Sequence, residues 1–89
     1  MELEGALVLV TGGSRGIGAA LASAYADEGA SVVVAARSEG DLRQVAERIG
    51  GVAHVADLSD PEVVDGLVAA VEAAYGPVDV LVNNAGIET

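Results

Sequence analysis

The residues best suited to chemistry lie near the start of the chain, at Thr11-Gly12-Gly13-Ser14-Arg15-Gly16-Ile17-Gly18. An apolar run ends there and a helical pattern begins. The N-terminus of a helix presents unpaired N–H groups and a partial positive charge, both suited to a phosphate. Glycines let the backbone turn sharply and approach a pyrophosphate closely. The spacing T-G-x-x-x-G-x-G excludes two other phosphate loops. A P-loop needs Lys-Ser/Thr after its last glycine, and the chain has no lysine. The G-x-G-x-x-G/A fingerprint fails because Leu21 stands three residues after Gly18. A glycine-rich turn without a ligand is the alternative that remains.

Composition narrows the chemistry further. The absence of cysteine excludes disulfides, thiolate catalysis and cysteine metal sites. The absence of lysine excludes a Schiff base. A single histidine, His54, cannot build a histidine metal cluster, so no metal site is expected. Fourteen acids against four arginines give a formal charge of −10. That excludes a general nucleic-acid grip, which needs a basic footprint, and disfavours an anionic membrane surface. The longest apolar runs, Ala6-Leu7-Val8-Leu9-Val10 and Val32-Val33-Val34-Ala35-Ala36, fall far short of the roughly 20 residues that span a bilayer. Met1-Glu2-Leu3-Glu4 is acidic and reads as neither signal nor transit peptide. A cytoplasmic setting is expected.

The elements that must position the glycine loop follow from hydrophobic pattern. Residues 6–10 read as a strand buried on both faces. Residues 16–28 read as a helix with Ile17, Leu21, Ala24 and Tyr25 at helical spacing, stopped by Gly29. A Val-rich strand is predicted over 31–36. Residues 41–49 form a helical stripe of Leu42, Val45, Ala46 and Ile49, ended by Gly50-Gly51. Residues 52–56 are a third strand. Ser59-Asp60-Pro61-Glu62 is a helix start, with a capping residue, then proline where no N–H is needed. Val63, Val64, Leu67, Val68 and Val71 are its expected buried face, and Gly76-Pro77 breaks it. Residues 78–82 are a fourth strand. The pattern βαβαβαβ implies a parallel sheet with right-handed crossovers and helices on both faces. At 89 residues it makes one small domain, over 1–89.

Thr11-Gly12-Gly13-Ser14-Arg15-Gly16-Ile17-Gly18 resembles the cofactor loop of short-chain dehydrogenases/reductases. Asp57-Leu58, after the third strand, and Asn83-Asn84-Ala85-Gly86, after the fourth, match that family's next two motifs in order. The resemblance covers the whole chain but only the N-terminal third or so of a family member. It implies a truncated Rossmann-like α/β half: a four-stranded parallel sheet of order 3-2-1-4 in three layers. It also implies roles. Gly12, Gly16 and Gly18 would shape the loop, with Ser14, Arg15 and Ile17 reaching the cofactor. Asp57 and Leu58 would flank the adenine. Asn84, Ala85 and Gly86 would lie near the nicotinamide-side ribose, and Asn83 would brace the central strands. A helix-initiating turn at Asp57 and a loop hydrogen-bonding pair at Asn83-Asn84 are the alternatives.

The end of the second strand chooses the cofactor. An acid there hydrogen-bonds the ribose hydroxyls and repels a 2′-phosphate, whereas an arginine accommodates that phosphate. The acid position, about 20 residues past the loop, holds Ala36, and Arg37 and Ser38 follow it. Arg15 is a second cation for the same phosphate. NADP(H) is therefore expected over NAD(H), with a solvated surface role for Arg37 as the alternative. Arg43 and Arg48 read as surface residues.

Family chemistry is hydride transfer between nicotinamide and a carbonyl or alcohol. It uses a tyrosine with a lysine four residues later. Tyr25 is followed at that spacing by Gly29 and Tyr75 by Asp79, so no catalytic residue is assigned. The sequence reads as a cofactor-binding fragment of a short-chain oxidoreductase, inactive alone. An engineered minimal Rossmann scaffold with vestigial or no cofactor binding, and a standalone dinucleotide-sensing module, are the competing readings. An exposed fourth strand, or its neighbouring helices, predicts a homodimer.

Overall fold

The structure, a computed structural model, describes residues 3–12 and 16–84. In chain order the elements are β1 (Leu7–Thr11), α1 (Gly16–Asp27), β2 (Ser31–Ala36), α2 (Glu39–Ile49), β3 (Val52–Val55), α3 (Pro61–Tyr75) and β4 (Val80–Asn83). The four strands form one sheet of order β3-β2-β1-β4. All pairings are parallel: Leu9 lies beside Val33 on one side and Leu81 on the other, and Val34 lies beside Ala53. The expected strand order and Rossmann-like half are thus the observed ones.

The two central strands explain their own sequences. A strand covered on both faces needs apolar residues at successive positions, not alternate ones. On one face Val8, Val10, Val32 and Val34 pack with Ala19, Ala22, Leu42 and Val45 from α1 and α2. On the other, Leu9, Val33 and Ala35 meet Leu67 and Val71 of α3. The result is three layers. Each fully buried Val or Leu contributes about 1.5–3 kcal/mol relative to exposure.

Three expectations about packing are corrected. The buried face of α1 is Gly18, Ala19 and Ala22, whereas Ile17 is exposed and Leu21 and Tyr25 are half-buried. Small residues face the sheet because α1 lies too close to it for larger ones. Val64 of α3 is also exposed; a single helix touches a sheet along a narrow line, here Leu67 and Val71, and flanking residues stay open. Val78 lies on the α3 face, opposite Val80 and Val82. It is outside β4 because its N–H donates to Glu72 Oε2 at 2.8 Å. Regular alternation starts only at Val80.

Asp79 joins this connection to the sheet. Its N–H donates to the Leu7 carbonyl at 2.9 Å, and its Oδ2 accepts the Leu7 N–H at 2.9 Å. Asp60 caps α3, accepting the Glu62 N–H at 2.9 Å, with Pro61 in the first turn. Among the described residues no helix is long and apolar enough to cross a membrane.

Candidate functional site at the carboxyl edge of the sheet

Because every strand runs the same way, their carboxyl ends share one edge. Gly12, Arg37-Ser38, Asp57 and Asn84 follow β1, β2, β3 and β4 there. The chain reverses its lateral direction between β1 and β4: α1 and α2 carry it outward on one face, and α3 returns it across the other. Ligands of open α/β sheets bind at the carboxyl ends of the strands flanking such a reversal.

The reversal is held by Thr11. Its hydroxyl oxygen accepts the Asn84 backbone N–H at 3.0 Å. The same hydroxyl faces two acceptors, Val82 O at 3.3 Å and Asn83 Oδ1 at 3.2 Å. Asn83 thus meets β1 through its side-chain oxygen. Sequence reasoning gives Thr11 no role beyond its place in a motif. Its signal is a β-branched polar residue closing an otherwise apolar strand.

Asn84 is buried. Its Nδ2 donates to the Gly12 carbonyl at 3.4 Å. Its Oδ1 has no hydrogen-bond partner among the described residues. A buried amide oxygen without a partner costs free energy on the order of 1–3 kcal/mol, so this atom is suited to accept from a group outside the described residues. Gly12 and Gly16 have φ of 68° and 62°, a conformation side chains resist. Gly18 is restricted by space: a Cβ there would lie 2.1 Å from Gly12 O and 2.7 Å from Asn84 Nδ2. The head of α1 thus sits directly on the backbone at the end of β1.

At the outer part of the edge, Arg37 and Ser38 are exposed. Ser38 has the backbone of a helix cap, yet its side chain makes no capping hydrogen bond to α2. Asp57 Oδ1 accepts from the Ser59 hydroxyl at 2.6 Å and the Ser59 N–H at 3.0 Å. These two bonds, with a smaller contribution from the Arg37 charge, hold the Asp57 carboxyl below its ordinary value of 3.8. Asp57 thus makes the turn that precedes α3 and remains on the edge. Leu58 is half-buried against the α3-side core. Ile17 projects from the head of α1, 63% exposed. A groove between α1 and α2 opens at Gly16 and is lined on the α2 side by Asp41, Gln44 and Arg48.

The edge therefore gathers Gly12, Gly16, Ile17, Gly18, Arg37, Ser38, Asp57, Leu58 and Asn84. Ser14, Arg15, Ala85 and Gly86 lie outside the described residues. His54, beside Ala35 on β3, has its ring 6.5 Å from Tyr75 in an edge-on contact. Among the described residues no group of His, Asp or Glu could hold a metal ion.

Residues 6–89 match the family model for short chain dehydrogenases. An uncharacterized oxidoreductase of Mycobacterium tuberculosis is 44% identical over 90 residues, covering 96% of this chain and 34% of that protein. The 3-oxoacyl-(acyl-carrier-protein) reductase of Escherichia coli is 40% identical over 89 residues, covering 98% of this chain and 36% of that enzyme. Among solved structures, a metagenomic short-chain oxidoreductase in complex with NADP superposes with a TM-score of 0.84 at 46% identity, covering 98% of this chain and 42% of the other. A variant of actinorhodin polyketide ketoreductase with NADPH gives 0.81 at 40% identity, covering 91% of this chain and 33% of the other. The chain spans about a third of the length of the curated relatives it matches.

Proposed function

Since this chain belongs to the short-chain dehydrogenase family, we propose that it binds a nicotinamide dinucleotide across the carboxyl edge of its sheet and selects NADP(H) over NAD(H). The observation that carries the choice is the end of β2. Ala36, where an acid would repel a 2′-phosphate, is buried and apolar, and the exposed Arg37 and Ser38 follow it. A guanidinium, a hydroxyl not engaged in capping and the open head of α2 are together suited to a phosphate dianion. The related structures holding NADP and NADPH support the same reading.

The inner edge fits the rest of a dinucleotide. Gly12, Gly16 and Gly18 would admit the pyrophosphate close to the head of α1, with Ile17 packing beside it. Asp57 and Leu58 would flank the adenine. Asn84 Oδ1, which has no partner among the described residues, would accept from the dinucleotide, and Ser14, Arg15, Ala85 and Gly86 are assigned with these from the sequence. When bound, the nicotinamide supplies hydride chemistry. For a protein of the relatives' length we propose hydride transfer to a carbonyl or from an alcohol. Within these 89 residues neither tyrosine has a lysine four positions on, so this segment is assigned to cofactor binding.

Assembly follows from the same sheet. Among the described residues β4 is an outer strand, and Leu81 on it is 49% exposed. An apolar edge is a template for another strand, and a second copy of this chain is the proposed partner. Calorimetric titration of the chain with NADPH and NADH at low salt tests the cofactor reading. NADPH should bind more tightly, by about tenfold per strong phosphate contact. Equal affinities would refute the choice, and no binding to either would refute the site.

A further inference from the structure

The proposed 2′-phosphate corner carries an acid that ought to oppose it. Glu39 is the first residue of α2, two positions past Arg37. A carboxylate in the first turn of a helix competes with a phosphate for the same partial positive charge and the same free N–H groups. In a chain of net charge −10, no general excess of cations offsets it.

The structure shows how this acid is occupied. Arg43, one helical turn on, donates to Glu39 Oε2 through Nη2 at 2.7 Å and through Nε at 2.9 Å. This is the one ion pair among the described residues. The pair engages the carboxylate with a guanidinium that reaches back from the next turn. Ser38 does not cap, and no side chain among the described residues accepts from the N–H groups of residues 39–41. The head of α2 is thereby left open to an anion.

We propose that Arg43 is a positioning residue for cofactor selection: by holding Glu39 it keeps the corner formed by Arg37, Ser38 and the head of α2 receptive to a 2′-phosphate. This rests on the NADP(H) reading above. Arg43 itself is assigned no contact with the cofactor. It acts through Glu39, so its effect belongs to the 2′-phosphate alone and is absent with NAD+. Asp41, also in the first turn, lines the groove between α1 and α2 and has no ion pair among the described residues. Arg43 therefore neutralises one of the two acids there.

Calorimetric titration with NADP+ and with NAD+ tests this on the unmodified chain, Arg43→Gln, Glu39→Gln, the double variant and Arg43→Lys. Arg43→Gln should weaken NADP+ about two- to fivefold, the range of an exposed ion pair, and leave NAD+ unchanged. Adding Glu39→Gln should restore the NADP+ affinity, and Arg43→Lys should largely retain it. The difference should shrink at about 0.5 M salt, where exposed charges are screened. An unchanged ratio of the two affinities in Arg43→Gln, in a chain that prefers NADP+, would overturn the inference and leave the cofactor reading standing. Equal weakening of both cofactors, or no rescue by Glu39→Gln, would also overturn it. A chain with no preference for NADP+ would remove the cofactor reading and this inference together.

Discussion

The Thr11 hydroxyl lies 3.0 Å from the Asn84 backbone nitrogen and ties the end of β1 to the end of β4. The two residues are 73 positions apart, and both are buried. Thr11→Val keeps the shape and removes a hydroxyl that accepts from Asn84 and donates toward Val82 O and Asn83 Oδ1. It should destabilise the chain by about 1–3 kcal/mol, the cost of losing a hydroxyl that accepts one hydrogen bond and donates another. Thr11→Ser should retain most of the stability. Urea denaturation measures both, and a Val variant as stable as the unmodified chain would show that this contact is not what holds the strands.

Glycine-to-alanine changes should have opposite signs at two positions. At Gly18 the added methyl would meet Gly12 O at 2.1 Å, so α1 must move off the sheet. The expected loss is about 1–3 kcal/mol, as for other overpacked sites, together with loss of dinucleotide binding. Gly66 is an exposed residue inside α3, and a methyl added there would have nothing within 4 Å. Alanine at that position should stabilise by about 0.5–1 kcal/mol through a less flexible unfolded chain. Thermal unfolding of the two variants should move in opposite directions from the unmodified chain.

Asp57 predicts an acid-sensitive turn. Its carboxyl is held below 3.8, first by the Ser59 hydroxyl and then by the Ser59 N–H. A group whose folded-state pKa is lowered stabilises the fold above its unfolded pKa, and that contribution is lost as pH falls through the folded value. The Asp57–Ser59 turn should therefore be intact from neutral pH down to about 4 and loosen only below it. Carboxyl NMR titration should give an Asp57 midpoint below 3.8, the ordinary value. Ser59→Ala should raise that midpoint. A midpoint at or above the ordinary value in the unmodified chain would contradict the geometry.

How much of this is legible in the sequence depends on whether the signal is local. The runs through Val8 and Val10, and through Val32 to Val34, announce strands covered on both faces. The glycine spacing and Arg37 mark the edge from sequence alone. The buried side of α1 is hidden because Gly18, Ala19 and Ala22 are small, and hydrophobic spacing favours the larger Ile17 and Leu21. Val78 misleads because its place is decided by Glu72 accepting its N–H, not by alternation. The Thr11–Asn84 bond and the partnerless Asn84 Oδ1 depend on β1 and β4 being neighbours, which only the folded sheet defines. The Glu39–Arg43 pair has the right spacing for a helix, yet its meaning appears only beside Arg37 and an uncapped α2.

Assembly gives a further expectation. Leu81 is exposed on an outer strand, and pairing of two such edges buries it. Leu81→Lys places a charge on that edge, a feature that blocks strand addition. Sedimentation should show a dimer for the unmodified chain and a folded monomer for the variant. A monomer of 8.8 kDa for the unmodified chain at high micromolar concentration would contradict edge pairing.

Where the cofactor lands is the sharpest test of a dinucleotide site on this edge. Amide NMR spectra of the chain titrated with NADP+ and with NAD+ report this residue by residue. Shifts are expected at Gly12, Gly16, Ile17, Gly18, Asp57 and Asn84 with both cofactors, and additional shifts at Arg37, Ser38 and the first turn of α2 with NADP+ alone. Shifts centred elsewhere, such as the far end of the groove near Arg48, would contradict the site. Identical shifts with the two cofactors at Arg37 and Ser38 would contradict the choice of NADP(H).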